Sequence, residues 1–561
     1  MRASVKGAAG AAFLAAAAVV YAPLIAAILG TGFHLNGRAA FRGVASPLAV
    51  SAASALVSAV VALLLGTTFA VLVERARPGL RGGCWTLGLL VLMVPPYIAA
   101  ESWIVLLGPV GKISKAAAIM LGFGPATADP VQLARFTVPG YVYTWAGVGV
   151  VMGGCLFPIV ALAVASTLRR TDHRIFEAAR LAQGARGVCR IAAHLLTPPA
   201  LGGALLVFAA TLTEFAVPQV LRVRTLGEAV YARIQDGELA TAAALVLPLL
   251  PLVVAAAALG AYLLLRARVA SLAGLEGEVP RFSPRAGGRI TDLGAGLVSL
   301  VAATPALLLS VAALVWLAVT AGSAHASALG RYKVLRAAGL VDSLSGAWQL
   351  AHGDAVRTVL LAAVAATLAC GFAVLLARLT SRAGWGVLPW ILGAGLAVPA
   401  PIVGLGLITL WDNHWGAPVY RSAAIILLAW LARFLPLTIL LVQGALARVP
   451  VELEHAAALA GKGAWGRFTS VILPNAAPGL AAAWLATYVF SATEFSATLL
   501  IAPPGCSMLA PSVVNLMRRG QDPEIAACQF LLLCVVALPL AALAVAGLVR
   551  ARALAIKREA A

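Results

Sequence analysis

Twelve long apolar runs divide this chain, at about 8–30, 47–73, 84–108, 141–167, 199–221, 240–265, 292–320, 355–377, 386–411, 422–446, 478–502 and 526–549. Each is long enough to cross a bilayer as a helix, which takes about 20 apolar residues. A helix satisfies its backbone N–H and C=O groups internally, so a run of this kind in lipid is expected to be helical. The composition agrees. Of 561 residues, 62% are hydrophobic and 11% charged, and the mean hydropathy is +0.97. A soluble domain is about a quarter charged, so an ordinary soluble enzyme and a disordered chain are both excluded. The expected fold class is all-α and polytopic, with about twelve transmembrane helices. Arg2 and Lys6 precede the first run. That run exceeds the roughly 7–15 apolar residues of a signal peptide, so it reads as an uncleaved first span.

The net charge is +20, from 41 Lys+Arg against 21 Asp+Glu. No basic stripe interleaved with aromatics appears, so nucleic acid is not an expected partner. The bases sit in short loops, where they orient spans and meet anionic headgroups. With the amino terminus cytoplasmic, 25 of the 41 fall in inside segments. The bias predicts cytoplasmic amino and carboxyl termini and an even number of spans. The seven cysteines form no C-x-x-C pair, and the seven histidines are scattered singly. Neither a disulfide framework nor a metal site is expected. No G-x-x-x-x-G-K-[ST], G-x-S-x-G or H-E-x-x-H is present, so no catalytic residue and no cofactor is assigned to this chain.

A Gly-, Pro- and charge-rich stretch at 271–290 reads as a cytoplasmic linker. It separates residues 1–270 from residues 291–561, with six runs in each half. An even number per half makes a parallel repeat. Two motifs recur. Phe176–Gly187 reads FEAARLAQGARG after the fourth run, and Leu453–Gly466 reads LEHAAALAGKGAWG after the tenth. Thr213-Glu214-Phe215 in the fifth run is matched by Thr493-Glu494-Phe495 in the eleventh. Each loop predicts a short Ala-rich helix ended by glycine, with small residues that let another surface approach closely.

Ionisable groups within apolar runs are costly unless they face a cavity or a partner. Glu101, Glu214 and Glu494 are therefore candidates for a translocation pathway, where carboxylates favour a cationic solute. Holding neighbouring helices together is the other reading. Arg357 and Arg433 also lie in runs, and Arg433 either pairs with an acid or reaches the interface.

The two loops resemble the EAA loop of ABC-importer permease subunits, a pattern of E-A-A-x-x-x-G followed by a hydrophobic stretch and L-P. The second copy has His455-Ala456-Ala457 and Gly461, closed by Leu473-Pro474; His455 stands at the glutamate position beside Glu454. The first has Glu177-Ala178-Ala179, with Gly184 one residue later than the pattern. The whole layout is similar to the fused permeases of ferric-iron importers and of related thiamine or phosphonate importers. Thr493–Met517 is most similar to the ferric-iron group. The resemblance implies a type I permease fold in the inner membrane. It implies that the two loops dock into two cytoplasmic ABC ATPase subunits, which use the ATP, and that an extracytoplasmic binding protein delivers the solute. Ferric iron, thiamine, phosphonate and polyamine stay open as cargo. The rival function is a twelve-span secondary transporter of a small cationic solute, which needs no docking loop. A lipid-modifying membrane enzyme would need convergent catalytic residues.

Overall fold

The computed structural model describes residues 2–30, 44–108, 142–272, 289–312, 339–383, 388–517, 525 and 527–542. Most of the linker and the basic carboxyl-terminal segment lie outside the described residues. Among the described residues all regular structure is helical. The helices used below are α1 (Arg2–Gly30), α2 (Ala45–Val73), α3 (Pro78–Val91), α4 (Pro96–Leu107), α5 (Trp145–Leu168), α6 (His173–Leu212), α7 (Ala216–Val220), α8 (Leu249–Leu272) and α9 (Arg289–Ala303). The second half continues with α10 (Gly339–Ala383), α11 (Ala400–Trp411), α12 (Ala424–Leu446), α13 (Val451–Leu459), α14 (Leu473–Ala492) and α15 (Ser496–Ile501).

Nine helices among the described residues are long and apolar enough to cross a membrane. The third run is a tenth candidate bent by 90° between α3 and α4. Pro95 and Pro96 sit at the bend, where neither has an N–H to continue the ladder. The ninth run is also broken: Leu388–Gly393, a 3-10 turn at Ala394–Ala397, then α11 after Pro399. In the twelfth run the described residues Ala527–Ala542 are helical. Prolines inside apolar runs are expected to kink helices, and the third and ninth runs are broken at Pro95-Pro96 and before Pro399. The fifth and eleventh runs differ as well. Their helices end at Leu212 and Ala492, so both T-E-F triplets lie just past helix ends rather than inside spans.

The described helices gather into two compact units. One comprises Leu35–Leu340 with Met517–Ala526 and holds α2 to α9. The other comprises Met1–His34, Val341–Leu516 and Ala527–Ala561 and holds α1 and α10 to α15. Each unit is made of one half's later spans and the other half's first span. Thus α1 packs on α11 and α12, while α9 packs on α2 and α3.

Small residues set the packing within each unit. In the first, α2 buries Ser51, Ser54, Ala55, Ser58, Ala62 and Gly66 along one stripe. A Cβ on Gly153 of α5 would meet the Ser58 carbonyl at 2.7 Å. Lipid offers no hydrophobic drive between helices, so close backbone approach and hydrogen bonds hold them. Thr211 Oγ1 of α6 donates to buried Ser58 Oγ at 2.9 Å. In the second unit, Ala16 and Val20 of α1 share a core with Ala369, Ala373, Leu376, Leu435 and Ile439. Where α9 runs into a π-type turn at Thr304–Leu308, the Pro305 carbonyl accepts Trp103 Nε1 of α4 at 2.7 Å.

Replacing Gly153 with Leu is expected to lower stability by about 1–3 kcal/mol through overpacking. A Cβ on Gly83 meets nothing within 4 Å, so Gly83→Ala is expected to leave the thermal midpoint in detergent unchanged or raised. Equal midpoints for the Gly153→Leu variant and the parent would refute the close α2–α5 contact.

Candidate functional sites: the repeated loops and the repeated helix breaks

The second loop follows α12. Pro450 starts α13, and Ala460 and Gly461 end it. Gly461 has φ +77°, its N–H donates to the Ala458 carbonyl at 3.0 Å, and the Lys462 N–H donates to the Ala457 carbonyl at 3.0 Å. This is a Schellman closure, which wants glycine because a Cβ is strained at positive φ. The first loop is the amino-terminal part of α6, capped by Asp172 accepting from the Arg174 N–H at 2.9 Å. Gly184 breaks it with φ +61°. Both loop glycines therefore turn the chain through left-handed backbone, one residue apart in register.

Burial repeats too. Glu177 and Ala178 are exposed and Ala179 is buried; His455 and Ala456 are exposed and Ala457 is buried. Two residues on, Leu181 and Leu459 are 90% and 91% exposed. An apolar side chain left almost wholly uncovered at the same step of both loops was not singled out in the sequence. The only signal was the shared spacing of two residues from the second alanine to a leucine. The loops differ in anchorage. Glu454 is tied to Arg378 of α10 by a 2.9 Å salt bridge, with both side chains about three-quarters buried.

The T-E-F triplets have matching backbone. Thr213 and Thr493 cap their helices at φ/ψ of −93/−3° and −98/0°. Phe215 and Phe495 follow at −120/−39° and −107/−48°, and each opens a short helix, α7 or α15. The glutamates do the capping. Glu214 Oε1 accepts the Ala216 N–H at 2.8 Å. Glu494 accepts the Ala497 N–H at 2.9 Å, the Thr498 N–H at 2.8 Å and the Thr498 hydroxyl at 2.5 Å. A broken helix in a membrane exposes N–H groups, and a carboxylate satisfies them while favouring the positive end of the helix dipole.

Glu494 also has a charged partner. Arg433 Nη1 donates to Glu494 Oε1 at 2.5 Å, and the Glu494 side chain is 1% exposed. Trp430 Nε1 donates to Thr498 Oγ1 at 2.9 Å and closes the cluster. Aligned in sequence on Pro158 of α5 and Pro436 of α12, Cys155 corresponds to Arg433. Cys155 is within electrostatic reach of Glu214. Glu101 lies mid-way along α4, caps no helix end, and is 6% exposed, with Arg222 as its electrostatic partner. Counting from Pro95 and Pro399, the residue corresponding to Glu101 is Leu405. Arg357, the other arginine in a run, donates to the Gly505 carbonyl at 2.9 Å. Among the described residues no group of three or more His, Cys, Asp or Glu is placed to hold a metal ion.

These features define an all-α, polytopic membrane protein with two copies of a solvent-facing loop and two copies of a carboxylate-capped helix break. Comparison with known proteins then narrows the class. No family model and no solved structure matches the chain. Over 141 residues, 25% of this chain, it is 28% identical to the protein named "Putative 2-aminoethylphosphonate transport system permease protein PhnV" of Salmonella typhimurium (strain LT2). The proteins of the same name from Salmonella choleraesuis (strain SC-B67) and Salmonella paratyphi A match equally. The chain spans about half the length of the curated relatives it matches, 52% of each. The chain thus resembles an ABC-importer permease in sequence over those 141 residues.

Removing the arginine from the buried pair leaves an uncompensated carboxylate. Arg433→Gln is expected to destabilise the protein by about 3–5 kcal/mol. Arg421→Gln, at an exposed position in the short segment before α12, is expected to change little; unfolding in detergent compares the two, and equal stability would refute the pairing.

Proposed function

We propose that this chain is the translocating permease subunit of an ATP-driven, binding-protein-dependent ABC importer, probed best through its two loops. The supporting observation is the paired geometry: a left-handed glycine, a buried alanine and a nearly bare leucine recur at equivalent places. An exposed leucine is unremarkable alone, but two at one step of a repeated helix suit insertion into two equivalent apolar grooves. Two cytoplasmic ABC ATPase subunits would supply those grooves and hydrolyse the ATP. The Glu454–Arg378 bridge would carry motion of the second loop into α10. An extracytoplasmic binding protein would deliver the solute.

For cargo, the similar Salmonella proteins carry 2-aminoethylphosphonate in their names, while Thr493–Met517 resembles the ferric-iron group. Both are small solutes that a binding protein can select. Of the three acids, Glu214 and Glu494 have capping duties, so we assign the solute-facing role to Glu101. A carboxylate there would act on a passing cation or amine.

The loop assignment is tested by affinity purification in mild detergent followed by mass spectrometry. A Walker-motif ATPase is expected with the parent chain. It is expected to be depleted at least tenfold by Leu181→Asp together with Leu459→Asp, with the chain itself recovered at normal yield. An ATPase retained by that double variant would refute docking through these leucines. Recovery of no ATPase under crosslinking that preserves other membrane complexes would favour the secondary-transporter reading. Separately, Glu101→Gln is expected to keep yield and ATPase association and to lower uptake of the solute held by the recovered binding protein several-fold. Unchanged uptake would remove Glu101 from the pathway.

A further inference from the structure

In the first unit the ends of α2 and α5 meet α3 around one buried carboxylate. Glu74 follows the last residue of α2, and its side chain is 1% exposed. Its Oε1 accepts Trp85 Nε1 of α3 at 2.8 Å and two donors of Arg169, just past α5, at 2.6 and 3.0 Å. The Arg169 guanidinium also stands 5.3 Å from the centre of the Trp85 ring. Arg77, before α3, bridges Asp292 in the first turn of α9 at 3.0 Å. The ends of α2 and α5 and the starts of α3 and α9 therefore lie at one membrane face, the face that the loop charges assign to the cytoplasm.

Beside this cluster is a groove of about 370 Å³, lined by Pro78, Arg81, Gly82, Trp85, Leu89, Leu162 and Arg169. Its charge is unbalanced. Arg169 already claims the Glu74 carboxylate, and Arg81 comes no nearer to it than 3.9 Å, with a third of its side chain exposed. One carboxylate faces two guanidiniums. The start of α3 already carries an anion, since Asp292 Oδ1 accepts the Arg77 N–H at 3.1 Å, so the unmet demand for negative charge is at Arg81. The other lining is apolar: Leu89 and Leu162 are 41% and 43% exposed. Along α3, eight residues separate Arg81 from Leu89, roughly 12 Å of helix. The groove therefore grades from cationic to apolar over about the depth of a lipid interface.

We propose that this groove binds one anionic phospholipid, its phosphate between Arg81 and Arg169 and its upper acyl chain against Leu89 and Leu162. A free anion would use the cationic mouth alone and leave the leucines uncovered. A neutral lipid would leave the second guanidinium without a counter-charge. Bound there, the lipid would tie α3 to α5 on the side where α9 crosses between the two sequence halves.

Gly82 makes the test clean. A Cβ at Gly82 meets nothing within 4 Å, and replacing a helical glycine favours the helix. Gly82→Leu should therefore fold and fill the groove, while Gly82→Ala should fold and leave it open. The full chain, purified in mild detergent and delipidated, is titrated with phosphatidylglycerol or phosphatidylcholine and read by native mass spectrometry. The parent and Gly82→Ala are expected to retain one more phosphatidylglycerol than Gly82→Leu. Arg81→Gln is expected to weaken that lipid roughly fivefold, in line with one basic residue near a charged surface. Equal retention of the two lipids by the parent, or the same count in Gly82→Leu, overturns the proposal. Displacement of the extra lipid by millimolar inorganic phosphate assigns the mouth to a free anion and overturns it as well. None of these readouts depends on ATPase docking or solute uptake.

Discussion

Hydrocarbon supplies no hydrogen bonds, and the structure is organised by that constraint. A continuous helix meets it without help, which is why the long spans consist almost wholly of residues that only fill space. Several interruptions recruit a side chain to stand in for water. At Ala492 the chain breaks, and Glu494 takes the N–H groups of Ala497 and Thr498. At Leu212 the same break is served by Glu214. At Thr304–Leu308, where the helix widens to a π-type turn, Trp103 Nε1 donates to the Pro305 carbonyl. Acids in these runs are thus intelligible as parts of the backbone's hydrogen-bond accounting before any question of transport arises.

That accounting also explains the inequality of the halves. A buried carboxylate needs a counter-charge as well as hydrogen bonds. Arg433 provides it for Glu494, and the aligned position in the first half is Cys155. The first half instead holds Glu101 opposite Arg222, at a level where the second half has Leu405. The repeated backbone tolerates different charge patterns because its shape depends on the carboxylate cap and on small residues, both of which are kept.

Much of this was legible beforehand. The helical class, the positions of the runs, the loop repeat and the T-E-F repeat all follow from local pattern. Gly461 read as a helix stop, and it closes α13. Legibility failed where proline geometry and distant partners decide. The T-E-F triplets read as interior to spans, since nothing local distinguishes a capped break from a continuing apolar run. The exposure of Leu181 and Leu459 was hidden because each sits in an Ala-rich helix whose buried side is set by contacts elsewhere. The bends in the third and ninth runs had visible prolines, but proline also occurs inside α5 and α12, where the helix continues.

By itself the sequence determined that the chain is a helical membrane protein with a duplicated plan, because run length, hydrophobicity and motif spacing are properties of neighbouring residues. Only the tertiary structure decided which helices share a unit. In lipid, a span apolar on all sides carries little record of its neighbour, so nothing local foretold that α1 packs on α11 or α9 on α2. It likewise decided that Arg433 meets Glu494, 61 residues away, and that Arg169 meets Glu74, 95 residues away. Those pairings are fixed by close approach between small-residue faces, and close approach is a property of the packed molecule.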